Sequence, residues 1–144
     1  MSRRMRLLVE IEFPFWRLRN WSNERAHWAV RRRASQPPVP GVVVHEDASA
    51  RVLAPHPRRR VEITRIGKKM MDEDGLASAM KPVLDRLKTK RIKMGSQTLT
   101  EPGWIFDDSP RYCKLVARQE IGPEYGVRVR IFGACHSPTR GVES

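Results

Sequence analysis

Residues 59–88 read RRVEITRIGKKMMDEDGLASAMKPVLDRLK, and their apolar period changes partway along. Up to Gly67 it is two. Val61 and Ile63, and after Thr64 also Ile66, are set against Arg60, Glu62 and Arg65, the pattern of a half-buried strand over Arg59–Gly67. Further on, Leu76, Met80, Val83, Leu84 and Leu87 stand at i, i+4, i+7, i+8 and i+11, a helical stripe. This predicts a helix over Gly75–Lys88 with Asp72 or Asp74 as its N-cap. Pro82 is awkward there, because inside a helix it removes a backbone hydrogen bond at roughly 3 kcal/mol. Either the helix kinks, or its regular part begins near Lys81.

Outward from this strand–helix pair, LLVEIEF at Leu7–Phe13 alternates in its second half and reads as another half-buried strand, ended by Pro14. Ser22–Ala34 reads as a helix whose far end carries Arg31, Arg32 and Arg33, cations suited to a helix C-terminus. Residues 35–58 hold five prolines and no sustained period, so a loop or lid is expected, with room for a short strand at Val42–Val44. Residues 89–103 read as a basic, flexible connection. Tyr112–Ile121 and Gly126–Phe132 alternate and are joined by a turn, which predicts an antiparallel hairpin. The tail over 136–144 is expected to be loose. The whole, 1–144, is expected to be a single α+β domain: a small mixed β-sheet with helices packed on it.

The composition narrows the partners. Lys and Arg number 28 against 16 Asp and Glu, a formal charge of +12 and a pI near 10.8. Such a chain concentrates polyanions, and nucleic acid is the obvious one. A membrane partner is disfavoured, since apolar runs such as Gly41–Val44 are far too short to span a bilayer. Glu10 and Glu12 interrupt any signal-peptide core, so the cytoplasm is the expected compartment. Cys113 and Cys135 are too few for a disulfide framework and read as small core residues. Nothing calls for an organic cofactor.

Acidic residues are scarce, yet two tight groups stand out: Asp72-Glu73-Asp74 before the helix, and Asp107-Asp108 after Trp104-Ile105-Phe106. Carboxylates this close repel one another unless a cation neutralises them. Magnesium prefers such oxygen ligands, and phosphodiester cleavage needs a metal to activate water and stabilise the leaving oxygen. Lys81 is a candidate to steady the transition state, and Asp74, Ser78, Lys81 and Asp85 share one polar helix stripe. The plainer reading stands beside this. A D-x-D before a helix can be a cap, an Asp-Asp pair a turn, and Lys81 with Asp85 a surface ion pair.

In that order, Asp72-Glu-Asp-Gly-Leu-Ala-Ser-Ala-Met-Lys-Pro-Val-Leu-Asp-Arg-Leu87 followed by Gly103-Trp-Ile-Phe-Asp-Asp108 resembles the RusA family of Holliday junction resolvases. The resemblance covers roughly residues 60–132. It implies a RusA-like fold and a homodimeric endonuclease that uses Mg2+ (or Mn2+) to nick two opposed strands of a four-way DNA junction in recombination and repair. It implies Asp72, Asp74 and Asp108 as catalytic metal ligands, with Asp107 beside them and Lys81 as the helix lysine. A bacterial host, with a phage or prophage origin, fits the family. The chain departs from the family in three places: Gly75 stands where many members have Asn, the Asp74–Lys81 spacing is longer, and the connection from Leu87 to Gly103 is long and basic.

Arg58, Arg59 and Arg60, Lys68 and Lys69, and Lys90, Arg91 and Lys93 are candidate DNA contacts; a solvated face is the alternative. The four tryptophans suit packing better than base stacking. Two rival functions remain open: a basic nucleic-acid-binding module without catalysis, and a nuclease acting on flaps or forks.

Overall fold

The computed structural model describes residues 5–19 and 36–134. The expected helix at Ser22–Ala34, with its three arginines, and the tail over 136–144 lie outside the described residues. In chain order the elements are β1 (Met5–Pro14), β2 (Val42–Glu46), β3 (Arg59–Gly67), α1 (Glu73–Ala79), α2 (Lys81–Leu87), β4 (Lys90–Met94), β5 (Gln97–Glu101), β6 (Cys113–Ile121) and β7 (Gly126–Ala134). Five strands form one mixed sheet in the order β2-β1-β7-β3-β6, and β4 and β5 form a second, two-stranded sheet. The architecture is α+β, as expected. Among the described residues no helix is long and apolar enough to cross a membrane.

The strands read from alternation are present, and most inward residues are those expected; the exception is the end of β3, where Arg65 is buried and Ile66 only half-buried. Val61 and Ile63 of β3, Val9, Ile11 and Phe13 of β1, and Val127, Val129 and Ile131 of β7 are all buried. One break in alternation has a local cause. The β1–β7 register shifts between Leu7 and Val9, and this irregularity lets the adjacent Leu8 and Val9 both be buried. Trp16 is 1% exposed and meets Phe13 edge to face at 5.0 Å, a core role. Cys113 is also buried, which pushes its thiol up to about 11 and leaves it inert packing.

Three local expectations are corrected. First, β6 and β7 are not a hairpin. β6 pairs parallel with β3, and β7 pairs antiparallel with both β3 and β1, so β3 lies between them. The link 122–125 passes the end of β3, where the Gly122 amide donates to the Gly67 carbonyl at 3.0 Å. Two strand spacings are about 10 Å, which four residues span easily. This placement gives β3 a partner on both edges. The parallel pair in turn needs a long crossover, supplied by α1, α2, β4 and β5.

Second, the single span Gly75–Lys88 is two helices, the later one beginning at Lys81 as Pro82 led one to expect. Met80 caps the end of α1 and the start of α2, and Pro82 falls in the first turn of α2, where its missing N–H goes unmissed. The apolar stripe survives the break, with Leu76, Met80, Val83, Leu84 and Leu87 all in the core.

Third, 89–103 is not a flexible connection throughout. Ten of its residues pair as β4 and β5 around a two-residue turn, Gly95-Ser96, with Gly95 at φ 65°. Glycine tolerates that angle at no steric cost, as the first position of a II′ hairpin turn demands. The short strand expected near Val42–Val44 is present as β2.

Candidate functional site

After β5 the chain returns onto the end of α2. The Trp104 and Ile105 amides both donate to the Leu87 carbonyl, at 2.8 and 3.2 Å, and the Thr89 amide donates to the Ile105 carbonyl at 2.9 Å. Gly103 sits at the closest approach. A Cβ there would lie 2.4 Å from the carbonyl carbon of Lys88 and 2.5 Å from the Leu87 oxygen, so no side chain fits. That explains physically the glycine that opens the Gly103–Asp108 run.

Two further side chains hold this segment. Arg59, buried on β3, donates from its guanidinium to the Ala50 carbonyl at 2.6 Å and the Trp104 carbonyl at 2.8 Å. The Phe106 amide donates to His56 Nε2 at 3.0 Å, while His56 Nδ1 lies 2.7 Å from the Pro57 carbonyl. With Nε2 accepting, the ring hydrogen belongs on Nδ1, so His56 serves this contact as a neutral ring. Burial lowers its pKa, more than the Pro57 contact raises it.

The clamp sets Asp108 against α2. Lys81 and Asp85 of α2 and its extended C-cap Lys88 follow one another at i, i+4 and i+7. Lys81 Nζ is 3.0 Å from Asp108 Oδ2 and 3.4 Å from Asp85; Lys88 Nζ is 3.3 Å from Asp85 and 3.7 Å from Asp108. Two ammoniums alternate with two carboxylates. The hydrogen bond to Asp108 raises the Lys81 pKa, against a smaller opposing effect of burial. Burial on its own would raise Asp108, but the Lys81 hydrogen bond and the Lys88 charge together outweigh it and hold that carboxyl low. Lys81 and Asp108 are therefore both charged at neutral pH. The Lys81 side chain is 62% exposed, so this cation can also meet an external anion.

The sequence-derived residues divide as follows. Asp72 is the α1 N-cap, its Oδ1 accepting from the Gly75 amide at 2.7 Å. Asp74 is exposed in the first turn of α1 and does not group with Asp107 and Asp108 closely enough to share a metal ion. Asp107 stands beside Asp108, half-buried. Among the described residues no three His, Cys, Asp or Glu side chains group closely enough to hold a metal ion. Magnesium does not demand such a cage. It is usually held by one or two carboxylates, with water and substrate phosphate completing its shell. Asp107 and Asp108 are the two carboxylates that could supply such ligands, and Asp108 is already paired with Lys81 and Lys88.

The basic candidates are reduced. Arg59 is corrected: it is 8% exposed and committed to backbone carbonyls, so it cannot reach a phosphate. Arg60 is half-buried, paired with Glu62 at 2.7 Å and lying 6.0 Å over the Phe132 ring. Arg58, Lys68, Lys69, Lys90, Arg91 and Lys93 are exposed, with Lys68 Nζ 5.6 Å from the Tyr125 ring. Trp104 is half-buried, donates to Glu46 at 2.8 Å and carries Arg51 over its ring, which leaves it a packing and bonding role. Sequence reasoning missed Lys88 as a site residue and His56 altogether. Lys88 carried a signal, its i+7 spacing from Lys81; His56 carried none.

His56 gives a pH prediction. A folded pKa below the ordinary 6.5 means that the unfolded chain binds the proton first. Stability is therefore unaffected above pH 6.5 and falls as pH drops below it. Thermal melts across pH 5–8 should show this slope in the wild type and a flatter one in His56→Gln; equal slopes would contradict the assignment.

The chain matches no family model, no curated protein and no solved structure.

Proposed function

We propose that this chain is a RusA-type structure-selective endonuclease, which nicks opposed strands of a four-way DNA junction in recombination and repair. The observation that carries the reading is the meeting of Lys81 and Asp108. They are 27 residues apart and belong to separate pieces of one ordered motif, yet they lie within 3.0 Å. Chance placement of a surface lysine gives no reason for that pairing.

In this reading Asp107 and Asp108 would hold Mg2+, or Mn2+ in its place, while Asp72 and Asp74 stay at the start of α1, outside that pair. The ion would supply an activated water and a counter-charge for the leaving oxygen. The chain's own residues do the rest. Lys81, protonated and exposed, presents a cation to the scissile phosphate, and Lys88 supports it from the next turns of α2. Gly103, Arg59 and His56 fix the loop that carries the carboxylates. A two-fold dimer would supply two such sites to a two-fold substrate.

One specific observation favours a second reading, a basic binding module without catalysis. Asp108 is already neutralised by two lysines, and Asp72 already caps a helix. Labelled four-way junction, flap and linear duplex, each with Mg2+ and with EDTA, separate the readings. The proposal expects Mg2+-dependent nicking of the junction above the other two. Binding without nicking in every lane would favour the module, and preferred cutting of flaps would favour another branched substrate.

A further inference from the structure

We infer that the β4–β5 ribbon is a nucleic-acid-contacting arm, and that only one of its faces, Arg91 and Lys93 with Thr98 and Thr100, lies on the phosphates of a duplex. The inference rests on the nucleic-acid reading above and adds to it a surface outside the Lys81–Asp108 cluster. All ten residues of the two strands are exposed, so the ribbon stands away from the core.

Its register divides it cleanly. Ile92 faces Leu99, Met94 faces Gln97 and Lys90 faces Glu101; Arg91 faces Thr100 and Lys93 faces Thr98. Side chains alternate between faces of a strand, so the first three pairs share one side and the last two share the other. The first side has its own explanation. Ile92 and Leu99, directly opposed, hold together a ribbon that would otherwise be marginal. The second side has no internal explanation, since it combines two cations with two hydroxyls and no acid. Neither Arg91 nor Lys93 forms an ion pair among the described residues.

The same side continues into the candidate site. Arg91 and Thr100 line one recess with Thr89, Phe106 and Asp107. A phosphate backbone running past the Asp107-Asp108 loop would thus meet Arg91 first and Lys93 beyond it. Cations and hydroxyls are the groups that contact phosphate oxygens, and a two-stranded ribbon is of a size that the major groove admits. Lys90 lies on the opposite side, beside Glu101, and should not take part.

Salt dependence tests this. Dissociation constants of the full chain on a four-way junction and a linear duplex, measured in EDTA over a range of salt, give the slope of log K against log[salt]. For Arg91→Ala/Lys93→Ala the slope should shrink by about 1.8, roughly 0.9 for each lost phosphate contact, with the dissociation constant near 0.1 M salt rising on the order of tenfold or more. Lys90→Ala should match the wild type. If the wild type binds and the double variant keeps its slope, the arm is overturned while the nucleic-acid reading stands. If the wild type binds neither DNA at low salt, that reading falls and the arm falls with it.

Discussion

Arg59→Leu should lower the unfolding midpoint by roughly 10 °C, and Arg58→Ala, one residue away, should leave it nearly unchanged. The guanidinium of Arg59 is buried and joins two segments far apart in sequence, at the Ala50 and Trp104 carbonyls. Hydrogen bonds to a charged group contribute about 1.5–3 kcal/mol each, and an acceptor stranded in the interior costs about 1–3 kcal/mol. Burial also lowers the Arg59 pKa, a sign that the charge is held at a cost which leucine would relieve. The losses are the larger effect. A net of about 3 kcal/mol corresponds to roughly 10 °C in a domain of this size. Arg59→Lys should not rescue it, because one nitrogen, Nη1, serves both carbonyls and the lysine side chain ends one atom short of that position. Differential scanning calorimetry reads the result; a melt within a degree or two of wild type would remove Arg59 from the loop clamp.

That residue also marks where the sequence was legible and where it was not. Alternation placed Val61 and Ile63 inward on β3, and the same parity runs on to Arg59 and Arg65, both buried, although the period read from the sequence switches to Ile66 after Thr64 and sets Arg65 outward. The run Arg58-Arg59-Arg60 drew attention to charge, and charge obscured parity. β1, β3 and β7 were readable because their burial is one-sided or nearly so, and β6 because its residues alternate although only Cys113 is buried. Their neighbours were not, since the short Gly122–Tyr125 link suggests a hairpin whether or not a third strand slips between. Local turn chemistry carries no information on that choice; the pairing of both β3 edges decides it. The β4–β5 hairpin left a trace in Gly95-Ser96 between two five-residue runs, but lysines and threonines masked its alternation. For the site, motif order brought out Lys81 and Asp108, and Pro82 and the D-x-D announced the helix break and the cap; the meeting of Lys88 and His56 with this segment needed three dimensions.

Asp108→Asn should reduce junction nicking by about 10²–10⁴-fold with little change in stability. Losing several kcal/mol of transition-state stabilisation corresponds to that range at about 1.4 kcal/mol per tenfold. Stability is a separate matter. The pairs with Lys81 and Lys88 are partly exposed, and such pairs contribute about 0–1 kcal/mol. Junction binding should hold or tighten, because the substitution frees two ammoniums from an internal carboxylate and leaves them for phosphate. Kinetics, melting and binding measured on one preparation distinguish this from a folding defect. A variant that nicks at the wild-type rate would leave Asp108 with only its ion pairs.

The most direct measurement of the central claim is a strand-by-strand map of cuts on one four-way junction, each strand labelled in turn, with Mg2+ present. The account predicts paired nicks at matching positions in two opposed strands, lost in EDTA and in Asp108→Asn. A junction that is bound by the wild type and left with all four strands intact would contradict it.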